Sequence, residues 1–484
     1  MKKIVIIGGG VSGLSSGIYA LLNGFDATII ESHNILGGNL TGWNRKGYHI
    51  DNCIHWLTGT NKDSNFYKIW ETLGVLDDTP IYTHEALFKV DYEGDELGLY
   101  SDFARFESEL YRISKEDSKE IKKFIKAIKA AITLQGTDGG DKTSLIHLLP
   151  YFFDSIEDTS LRFKHPLIRK FITALMPKES SVLSLIYVYA SFVSGNASLP
   201  KGGSLEALDR MVSKFISLGG TQYTRSKAVS IVKEKRVVKG VVLNDGRIID
   251  CDYVILACDP IPAISNIFDI DIPKVFLDYV TKKEYTVFSG VQCAISAPAN
   301  LPFKGTIIDH VTEEMEEVMG VSDIEISEFS HEESYAPEGR NIIQTLSFCK
   351  GDISKMFINL RENNIEEYRA RKKKIGELII EYVENRYPEL KGQLEVLDVW
   401  TPATYKRYTG SATGSYMSPM FPKGYMPRFI NNKIYGFKNA YMASQWLFLP
   451  GGLPPAAQSG KKAIESISRK ERRYLRRQTA LELE

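Results

Sequence analysis

Residues 8–13 (GGGVSG) carry the glycine spacing G-x-G-x-x-G, which binds the pyrophosphate of a dinucleotide when it joins a strand to a helix. Gly8 suits a tight turn, and Gly10 lets the backbone approach a pyrophosphate. Gly13 lets the following helix pack closely against the strand. A plain glycine-rich turn is the alternative interpretation, so the flanking elements must decide between the two.

Those flanking elements are the ones that the motif requires. Residues 4–7 (IVII) predict a buried parallel strand, and the residues after the glycines have the apolar face of a helix. The helix would begin at Val11 and Ser12, whose free amides would bind phosphate without a basic side chain. Residues 27–30 predict a second strand, and Glu31 follows it, where a carboxylate can hold a ribose hydroxyl. The sequence therefore predicts a Rossmann-type dinucleotide-binding unit.

The composition limits the classes of protein that fit. The chain has 484 residues, enough for two joined domains, and its 60 basic residues balance 60 acidic ones. This balance gives no global field that would recruit nucleic acid, so no nucleic-acid partner is expected. The five cysteines have no CxxC spacing and no HExxH pattern occurs, so neither a disulfide framework nor a metal site is expected. Without a signal-peptide pattern or an apolar run of spanning length, a cytoplasmic location is the default.

A second glycine pair, Gly37 and Gly38, follows the ribose acid. Together with residues 42–51 (GWNRKGYHID) it resembles the flavoprotein superfamily that contains the amine oxidases and phytoene desaturases. The resemblance implies that the dinucleotide is FAD and that the glycine pair approaches its phosphates. The family usually has a basic residue after the ribose acid and an arginine after the glycine pair. This chain has Ser32 and Asn39 there, which weakens the pyrophosphate contacts that the resemblance implies but leaves the role of the glycines.

Two later segments resemble further parts of the same FAD site. Residues 200–205 (PKGGSL) open a helical pattern, and by similarity to the family the backbone of Val229 would meet the adenine. Near the C-terminus, the family places a loop and a helix start beside the ribityl chain and the N1-C2 edge of the flavin. Gln445, Gly452 and Leu453 are the candidates here, because a helix N-terminus stabilises an anionic reduced ring.

The resemblance implies an α/β fold class with two domains. One is a Rossmann-like FAD-binding domain of the amine-oxidase type, and the other is a discontinuous α+β substrate domain. The FAD-binding domain is expected to close with a basic C-terminal helix. The expected segments are residues 1–74, 200–285 and 430–484 for the FAD-binding domain, and residues 75–199 and 286–429 for the substrate domain.

Residues 52–57 (NCIHWL) and 401–410 (TPATYKRYTG) resemble one branch of this superfamily, the carotenoid desaturases and retinol saturases, some relatives of which isomerise double bonds. The resemblance implies an FAD-dependent oxidoreductase that acts on carbon-carbon bonds of an apolar polyene or unsaturated lipid. In such chemistry the flavin exchanges a hydride with the substrate while the protein holds the carbons over the ring. His55 is the histidine expected near the ring, as a proton donor or in a structural role, and Tyr408 has the same two interpretations.

Other functions stay open on the sequence alone. An amine-oxidase-like enzyme would dehydrogenate a C-N bond, a non-redox isomerase would return its flavin unchanged, and a lipid-binding protein would hold FAD as a structural group. NAD(P) also stays open as an electron donor or acceptor, although only one dinucleotide fingerprint occurs. The oligomeric state is not predicted.

Two segments of the sequence, one aromatic and one basic, each have a functional and a structural interpretation. Aromatic residues 151–153 (YFF) either line an apolar tunnel for an isoprenoid, retinoid or other unsaturated lipid, or fill the core of a helical lid. Six cations between Arg469 and Arg477 either place a helix on a membrane surface or face solvent. Peripheral membrane contact is therefore expected only under the first interpretation of this basic segment.

Overall fold

The structure of the protein, a computed structural model, describes residues 1–135, 142–425 and 430–482, with the backbone only for residue 142 and residues 473–482. Its strands are β1 (Lys3–Ile7), β2 (Asp26–Ile30), β3 (Gly42–Arg45), β4 (Tyr48–Asp51), β5 (Leu57–Thr58), β6 (Ile81–Tyr82), β7 (Ala86–Tyr92), β8 (Asp95–Tyr100), β9 (Ala197–Pro200), β10 (Thr221–Tyr223), β11 (Ala228–Glu234), β12 (Val237–Leu243), β13 (Ile248–Asp250), β14 (Tyr253–Leu256), β15 (Phe288–Pro298), β16 (Thr306–His310), β17 (Asp323–Glu328), β18 (Arg340–Lys350), β19 (Glu395–Trp400) and β20 (Ala440–Met442).

The helices complete the list of elements. The α-helices are α1 (Val11–Leu22), α2 (Tyr67–Thr72), α3 (Phe103–Ile113), α4 (Ser118–Gln135), α5 (Ile156–Ser160), α6 (Pro166–Ala174), α7 (Val182–Val193), α8 (Gly203–Ser217), α9 (Pro260–Phe268), α10 (Lys274–Thr281), α11 (Glu313–Met319), α12 (Gly351–Asn363), α13 (Ile365–Arg386), α14 (Pro402–Thr409) and α15 (Leu453–Glu482). Short 3-10 helices span Lys142–His147, Leu149–Tyr151, Glu333–Tyr335, Pro388–Leu390 and Gln445–Leu447.

Five strands form a parallel sheet in the order β10-β2-β1-β14-β20. Strand β1 lies at its centre, with Ile6 opposite Ile29 on β2 and Ile255 on β14. Helices α1, α8 and α15 cover one face, and the antiparallel sheet of β11, β12 and β13 covers the other. Because both faces are buried, the central strands are rich in isoleucine, valine and leucine. This arrangement confirms the Rossmann-like α/β unit predicted from the sequence.

Helix α15 brings the C-terminal part of the chain against the N-terminal unit. An added Cβ at Gly460 would lie 2.6 Å from the carbonyl oxygen of Ser12, so only glycine permits this approach. Ser15 Oγ donates a hydrogen bond of 2.7 Å to the carbonyl oxygen of Ala457. The close packing places the start of α15 beside the start of α1.

By similarity to the family, residues 253–260 (YVILACDP) are expected to form the strand that closes the FAD-binding domain, but the strand is shorter than this segment. Strand β14 ends at Leu256, because Pro260 begins α9 and Asp259 caps that helix by accepting a 2.9 Å hydrogen bond from the amide of Ile261. Strand β14 lies inside the sheet, next to its last strand. Strand β20 pairs with it and forms the edge.

A second sheet has seven strands in the order β19-β15-β18-β17-β16-β7-β8. Its pairs are antiparallel except for β16 with β7. Helices α11, α12 and α13 pack on one face, while α3, α4, α6 and α7 form a helical cluster with β7 and β8. On the face away from α13, Gln292, Leu346 and Glu325 lie side by side on β15, β18 and β17.

The chain crosses between the two sheets more than once. The parallel sheet takes β1 and β2, then β10 and β14, and finally β20, whereas the second sheet takes β7 and β8 and then β15 to β19. The exact domain boundaries, after residues 74, 199, 285 and 429, stay predictions. The most apolar stretch of the sequence forms α7, which is packed inside the helical cluster. Within the described part of the chain, the helices are too short or too polar to cross a membrane.

Candidate active site

A cavity of about 1260 Å³ lies where the carboxyl ends of the parallel strands face the seven-stranded sheet. Ile7, Ile30 and Ala257 line it at the ends of β1, β2 and β14, and Gln292 and Glu325 line it from the other sheet. The carboxyl edge of an open α/β sheet is where such folds bind ligands. Pockets for drug-sized ligands have volumes of roughly 300–1,000 Å³, so this cavity has room for a dinucleotide and part of a second molecule.

The glycine turn forms one end of this cavity. Gly8 has a φ of 104°, which favours glycine, and an added Cβ at Gly13 would lie 2.0 Å from the Gly8 carbonyl oxygen. Gly10 faces Gly37 across a single backbone bridge. Helix α1 begins at Val11 without a side-chain cap. Bare backbone and an uncapped helix start therefore face the cavity, which is the arrangement that binds an anion.

Glu31 lies beside this turn at the end of β2. Its carboxylate accepts hydrogen bonds from the amides of Gly9 and His33, both at 2.8 Å, and from Ser32 Oγ at 3.1 Å. The ring of Tyr408 packs against that of His33, with 4.9 Å between the ring centroids. Glu31, Ser32 and Tyr408 all line the cavity. The structure thus places Tyr408 against His33, two residues after Glu31.

Three polar groups meet at the start of α15. Asn39 Nδ2 donates a 2.9 Å hydrogen bond to the carbonyl oxygen of Tyr416, and Gln445 Nε2 donates one of 3.2 Å to the same oxygen. Gln445 Oε1 accepts one of 2.7 Å from the amide of Gly452. Gly452 has a φ of 117°, no atom lies within 4 Å of a Cβ added there, and α15 begins at the next residue, Leu453. A second helix start thus opens onto the cavity.

The structure brings together nearly all of the residues that the sequence singled out. Gly13 does not line the cavity, because it packs behind the turn against Gly8. Val229 is 40% exposed and borders the cavity at the start of β11. The other candidates that line it are Gly8, Gly10, Val11, Ser12, Glu31, Ser32, Gly37, Gly38, Asn39, His55, Tyr408, Gln445, Gly452 and Leu453. Their individual roles stay predictions.

His55 lies on the wall formed by the seven-stranded sheet, and it has an acidic partner that the sequence did not reveal. Its Nδ1 is 3.4 Å from Oε1 of Glu325 on β17. Burial lowers the pKa of His55, but the hydrogen bond and the charge of Glu325, with a contribution from Asp51, outweigh burial, so the pKa is raised above its usual value. The acidic partner therefore favours the protonated form of His55.

Tyr405 joins this polar wall to the substrate-domain strands. Its hydroxyl donates a 3.1 Å hydrogen bond to Oδ1 of Asn52 and accepts from Gln292 Nε2 and, at 3.3 Å, from Trp400 Nε1. Burial raises the pKa of Tyr405, so the phenol stays neutral. The sequence offers Tyr405, like Tyr408, as a proton donor or a structural tyrosine. It does not reveal the hydrogen-bond partners Asn52 and Gln292, which lie on distant stretches of the chain.

The cavity also has a wall that is mostly apolar. It is built mainly by α4, α7 and the segment that precedes β20, with Leu134, Met176, Leu183, Ile186, Met420 and Phe421 among its residues. Residues 151–153 do not line it, so the tunnel interpretation of those aromatics is wrong. Tyr151 is 1% exposed and packs in the helical cluster, whereas Phe153 is 73% exposed. The core interpretation therefore holds for Tyr151 alone.

These features fit FAD. The glycine turn and the uncapped start of α1 would hold the pyrophosphate, and a carboxylate stands where the ribose is expected. The start of α15 opens onto the same cavity. The described residues contain no group of three or more histidine, cysteine, aspartate or glutamate side chains placed to hold a metal ion. The fold and the site together define a dinucleotide-binding flavoprotein with a large apolar cavity.

Comparison with known proteins identifies the family. The family model described as flavin containing amine oxidoreductase matches residues 11–467. The 4,4'-diaponeurosporene oxygenase of Staphylococcus haemolyticus is 21% identical over 96% of this chain and 97% of its own length. The 4,4'-diapophytoene desaturase of a Methylomonas species is 20% identical over 97% and 96%, and prolycopene isomerase 1 of an Oncidium hybrid is 22% identical over 87% and 76%.

Solved structures agree on the fold. A variant of putrescine oxidase has a TM-score of 0.61 and 15% identity, covering 97% of this chain and 99% of its own. An oxidoreductase of Methanosarcina mazei has a TM-score of 0.59 and 15% identity, with coverage of 96% and 100%. The chain therefore belongs to the family of flavin containing amine oxidoreductases and is an FAD-dependent oxidoreductase.

Proposed function

We propose that the protein adds or removes two hydrogens across a carbon-carbon bond of an apolar polyene, an isoprenoid, a retinoid or another unsaturated lipid. The observation that carries the proposal is the single cavity that joins the FAD-binding glycines to the apolar wall of α4 and α7. A substrate in that wall would lie against the cofactor with little polar contact. The names of the desaturase relatives point to the same substrate class.

When bound, FAD supplies a two-electron acceptor or donor of hydride. The glycine turn and the start of α1 would hold its pyrophosphate, and Glu31 would hold the ribose. Gln445 accepts a hydrogen bond from the amide of Gly452 and so fixes the start of α15, which would face the flavin ring. The apolar wall orients the hydrocarbon and excludes water, and His55 holds the proton that the carbon chemistry releases or consumes.

The amine-oxidase alternative has less support from the site. An amine substrate would need a polar or charged pocket, whereas the wall built by α4 and α7 is mostly apolar. The ionisable groups on the β17 side of the cavity, His55 and Glu325, pair with each other. The putrescine oxidase likeness is one of fold at 15% identity. A non-redox isomerisation is the second candidate, because prolycopene isomerase relatives align with 87% of the chain.

The decisive experiment is anaerobic spectroscopy of the purified holoenzyme with carotenoid and retinoid candidates. Bleaching of the oxidised flavin would mean desaturation, and reoxidation of dithionite-reduced flavin would mean saturation. Conversion of polyene isomers without net flavin change would favour the isomerase. Turnover of amines with release of peroxide would replace the proposal, and a colourless protein that cannot take up FAD would contradict it. Adding NADH or NADPH tests the electron partner in the same cuvette.

We also propose that the protein contacts a membrane surface at the mouth of the cavity. Tyr187 is 40% exposed and lines the cavity, as does Leu148, so this region is an opening. Large exposed apolar side chains surround it on neighbouring elements: Leu145, Ile146, Leu149, Phe153 and Leu161. Such a patch lowers its free energy by entering the headgroup region, where an apolar substrate is dissolved.

The basic C-terminal segment is a separate candidate for membrane contact. Arg469 and Lys470 make hydrogen bonds to backbone carbonyls, and the side chains of Arg473, Arg476 and Arg477 lie outside the described residues. Sedimentation with vesicles of phosphatidylcholine tests the apolar patch. Leu149→Ser with Phe153→Ser should release the protein from vesicles, while Ile248→Ser, which changes an isoleucine that is 53% exposed elsewhere, should not. Equal binding of both variants would refute the patch.

A further inference from the structure

We infer that a hydrogen-bonded row of side chains along one face of the seven-stranded sheet carries protons between the cavity and the partly exposed start of β16. The row consists of His55, Glu325, Ser327 and Thr306. The inference rests on the proposed function, because only a reaction that breaks or forms C-H bonds has a proton to move. His55 is the member that faces the substrate, and the others act through it.

The row is continuous in the structure. His55 Nδ1 is 3.4 Å from Glu325 Oε1, and Ser327 Oγ donates a 3.2 Å hydrogen bond to the same oxygen. Ser327 and Thr306 are directly opposite each other on β17 and β16, with 2.8 Å between their hydroxyl oxygens. Glu325 and Ser327 point to one face of β17 because they are two residues apart.

Burial decreases from Glu325 and Ser327 to Thr306, as proton exchange with solvent requires. Glu325 is 9% exposed and Ser327 is 8% exposed, whereas Thr306 is half-buried at the start of β16. The inner members are thus shielded and the last one reaches the surface. A hydroxyl can accept one proton and donate another, so both hydroxyls can pass a proton on.

A small second cavity runs beside the row. Its volume of about 30 Å³ is enough for a water molecule, which needs roughly 10–15 Å³. Its polar wall includes all four members of the row as well as His84, Glu328 and His331. Nδ1 of His331 is buried without a hydrogen-bond partner, which a water molecule in this cavity would supply.

The proposed reaction releases or consumes one proton, and the row would carry that proton. Desaturation of a CH-CH bond breaks two C-H bonds and forms one C=C bond. A hydride, with both electrons, goes to FAD, and a proton leaves the adjacent carbon. With Nδ1-H donated to Glu325, neutral His55 presents Nε2 as the acceptor for that proton. The proton on Nδ1 then passes through Glu325, Ser327 and Thr306 to water. Saturation runs the same transfers in reverse.

The charges around the row support this direction of transfer. Glu325 and Asp51 are the acids that act on His55, and together they raise its pKa against the effect of burial. Burial lowers the pKa of His84, and it lowers that of His331 to about 4, with Glu328 partly opposing it in both cases. Both outer histidines are therefore neutral near pH 7, so they do not repel an arriving proton.

The first test needs no substrate. The holoenzyme labelled with carbon-13 histidine is titrated by NMR, and the His55 resonance is assigned by its loss in His55→Gln. Glu325→Gln should lower the pKa of His55 by roughly 1–3 units, the effect of removing a nearby opposite charge. Ser327→Ala should leave it close to the wild-type value. A His55 pKa that does not change in Glu325→Gln would overturn the inference.

The second test follows flavin reduction by a polyene in a stopped-flow instrument. Glu325→Gln should slow reduction about 10²-fold, the lower part of the range for positioned proton transfer. Ser327→Ala should slow it roughly fivefold, the rate equivalent of one hydrogen bond, and should change the solvent isotope effect. Ser347→Ala is the matched control, since Ser347 is 1% exposed on β18 and its hydroxyl has no hydrogen-bond partner.

The two tests separate the inference from the proposed function. Unchanged flavin spectra in all variants show that the FAD site is intact. If no polyene reduces the oxidised wild-type flavin or reoxidises the reduced flavin, but Glu325→Gln lowers the His55 pKa, the proposed function fails while the His55-Glu325 pair stands. If polyenes reduce the flavin equally fast in Glu325→Gln, Ser327→Ala and the wild type, the proton row is refuted and the proposed function stands.

Discussion

Gly10→Ala should separate FAD binding from folding. Gly10 has a φ of −71° and a ψ of −176°, which any residue adopts, so alanine brings no backbone strain there. The nearest atoms to an added Cβ are the Gly37 carbonyl oxygen at 3.8 Å and the Gly38 Cα at 4.0 Å, both ordinary contacts. The apoprotein should therefore keep its free energy of unfolding within about 1 kcal/mol.

The same methyl group should weaken cofactor binding strongly. It would enter the gap between the two glycine segments, where the pyrophosphate must approach the backbone. A hydrogen bond to a charged group contributes about 1.5–3 kcal/mol, so the loss of two amide-phosphate contacts costs at least about 3 kcal/mol. The Kd for FAD should thus rise by about 10²-fold or more.

The assay is titration of the apoprotein with FAD, followed by quenching of flavin fluorescence, with thermal unfolding of the same samples. Gly351→Ala is the matched control, because an added Cβ there meets no atom within 4 Å and the residue is remote from the cavity. A Gly10→Ala protein that binds FAD within twofold of the wild-type Kd would refute the assignment of the glycine turn to the pyrophosphate.

Three further predictions follow from neighbouring contacts. Gly13→Ala should destabilise the apoprotein itself, since the new Cβ would lie 2.0 Å from the Gly8 carbonyl oxygen; an unfolding transition equal to that of the wild type would contradict this. Tyr408→Ala should raise the Kd for FAD about two- to tenfold by losing the ring contact with His33, whereas Tyr408→Phe should keep both Kd and the reduction rate. A Tyr408→Phe enzyme that is saturated with FAD but reduced slowly would instead support the proton-donor interpretation. Burial lowers the pKa of His331 in the folded protein from 6.5 to about 4. Between these pH values the unfolded chain binds a proton on His331 that the folded protein does not bind, so the free energy of unfolding falls as the pH drops from 6.5 towards 4. His331→Phe, which keeps the stacking on Tyr82, should remove roughly 1–2 kcal/mol of that loss at pH 5, measured by urea unfolding; the same pH slope in the variant would contradict the assignment.

The glycine turn was predictable from the sequence because its contacts are local. Gly8, Gly13 and Glu31 act within one strand-helix-strand unit, so their spacing alone indicates their geometry. Gln445 and Gly452 were found only through resemblance to a family. Their position depends on the packing of α15 against α1 at Gly460, a contact between the two ends of the chain that no local pattern contains.

Glu325 could not be predicted for a different physical reason. In β17, DIEISE, apolar residues alternate with polar ones, which is typical of a strand with one face in solvent. Glu325 and Ser327 would then be surface residues. The structure instead places that face against the cavity wall, because β17 pairs with β16 and β18 in the interior of a seven-stranded sheet whose open face is covered by the FAD-binding part of the chain. A buried polar pair on such a strand is expensive unless partnered, and His55 is the partner.

Two polar pairs in the cavity, His55 with Glu325 and Tyr405 with Asn52, are the groups that we expect to select the reaction. An apolar wall holds a hydrocarbon without choosing between removal, addition or rearrangement of hydrogens, since it makes the same dispersion contacts in each case. Relatives of 20–22% identity carry the names of an oxygenase, a desaturase and an isomerase, while matching most of this chain. Because these relatives match most of this chain, we expect the difference to come from a few side chains that line the cavity. The candidates here are His55 with Glu325, and Tyr405 with Asn52, and substitutions among these four residues should change which product forms before they change whether FAD binds.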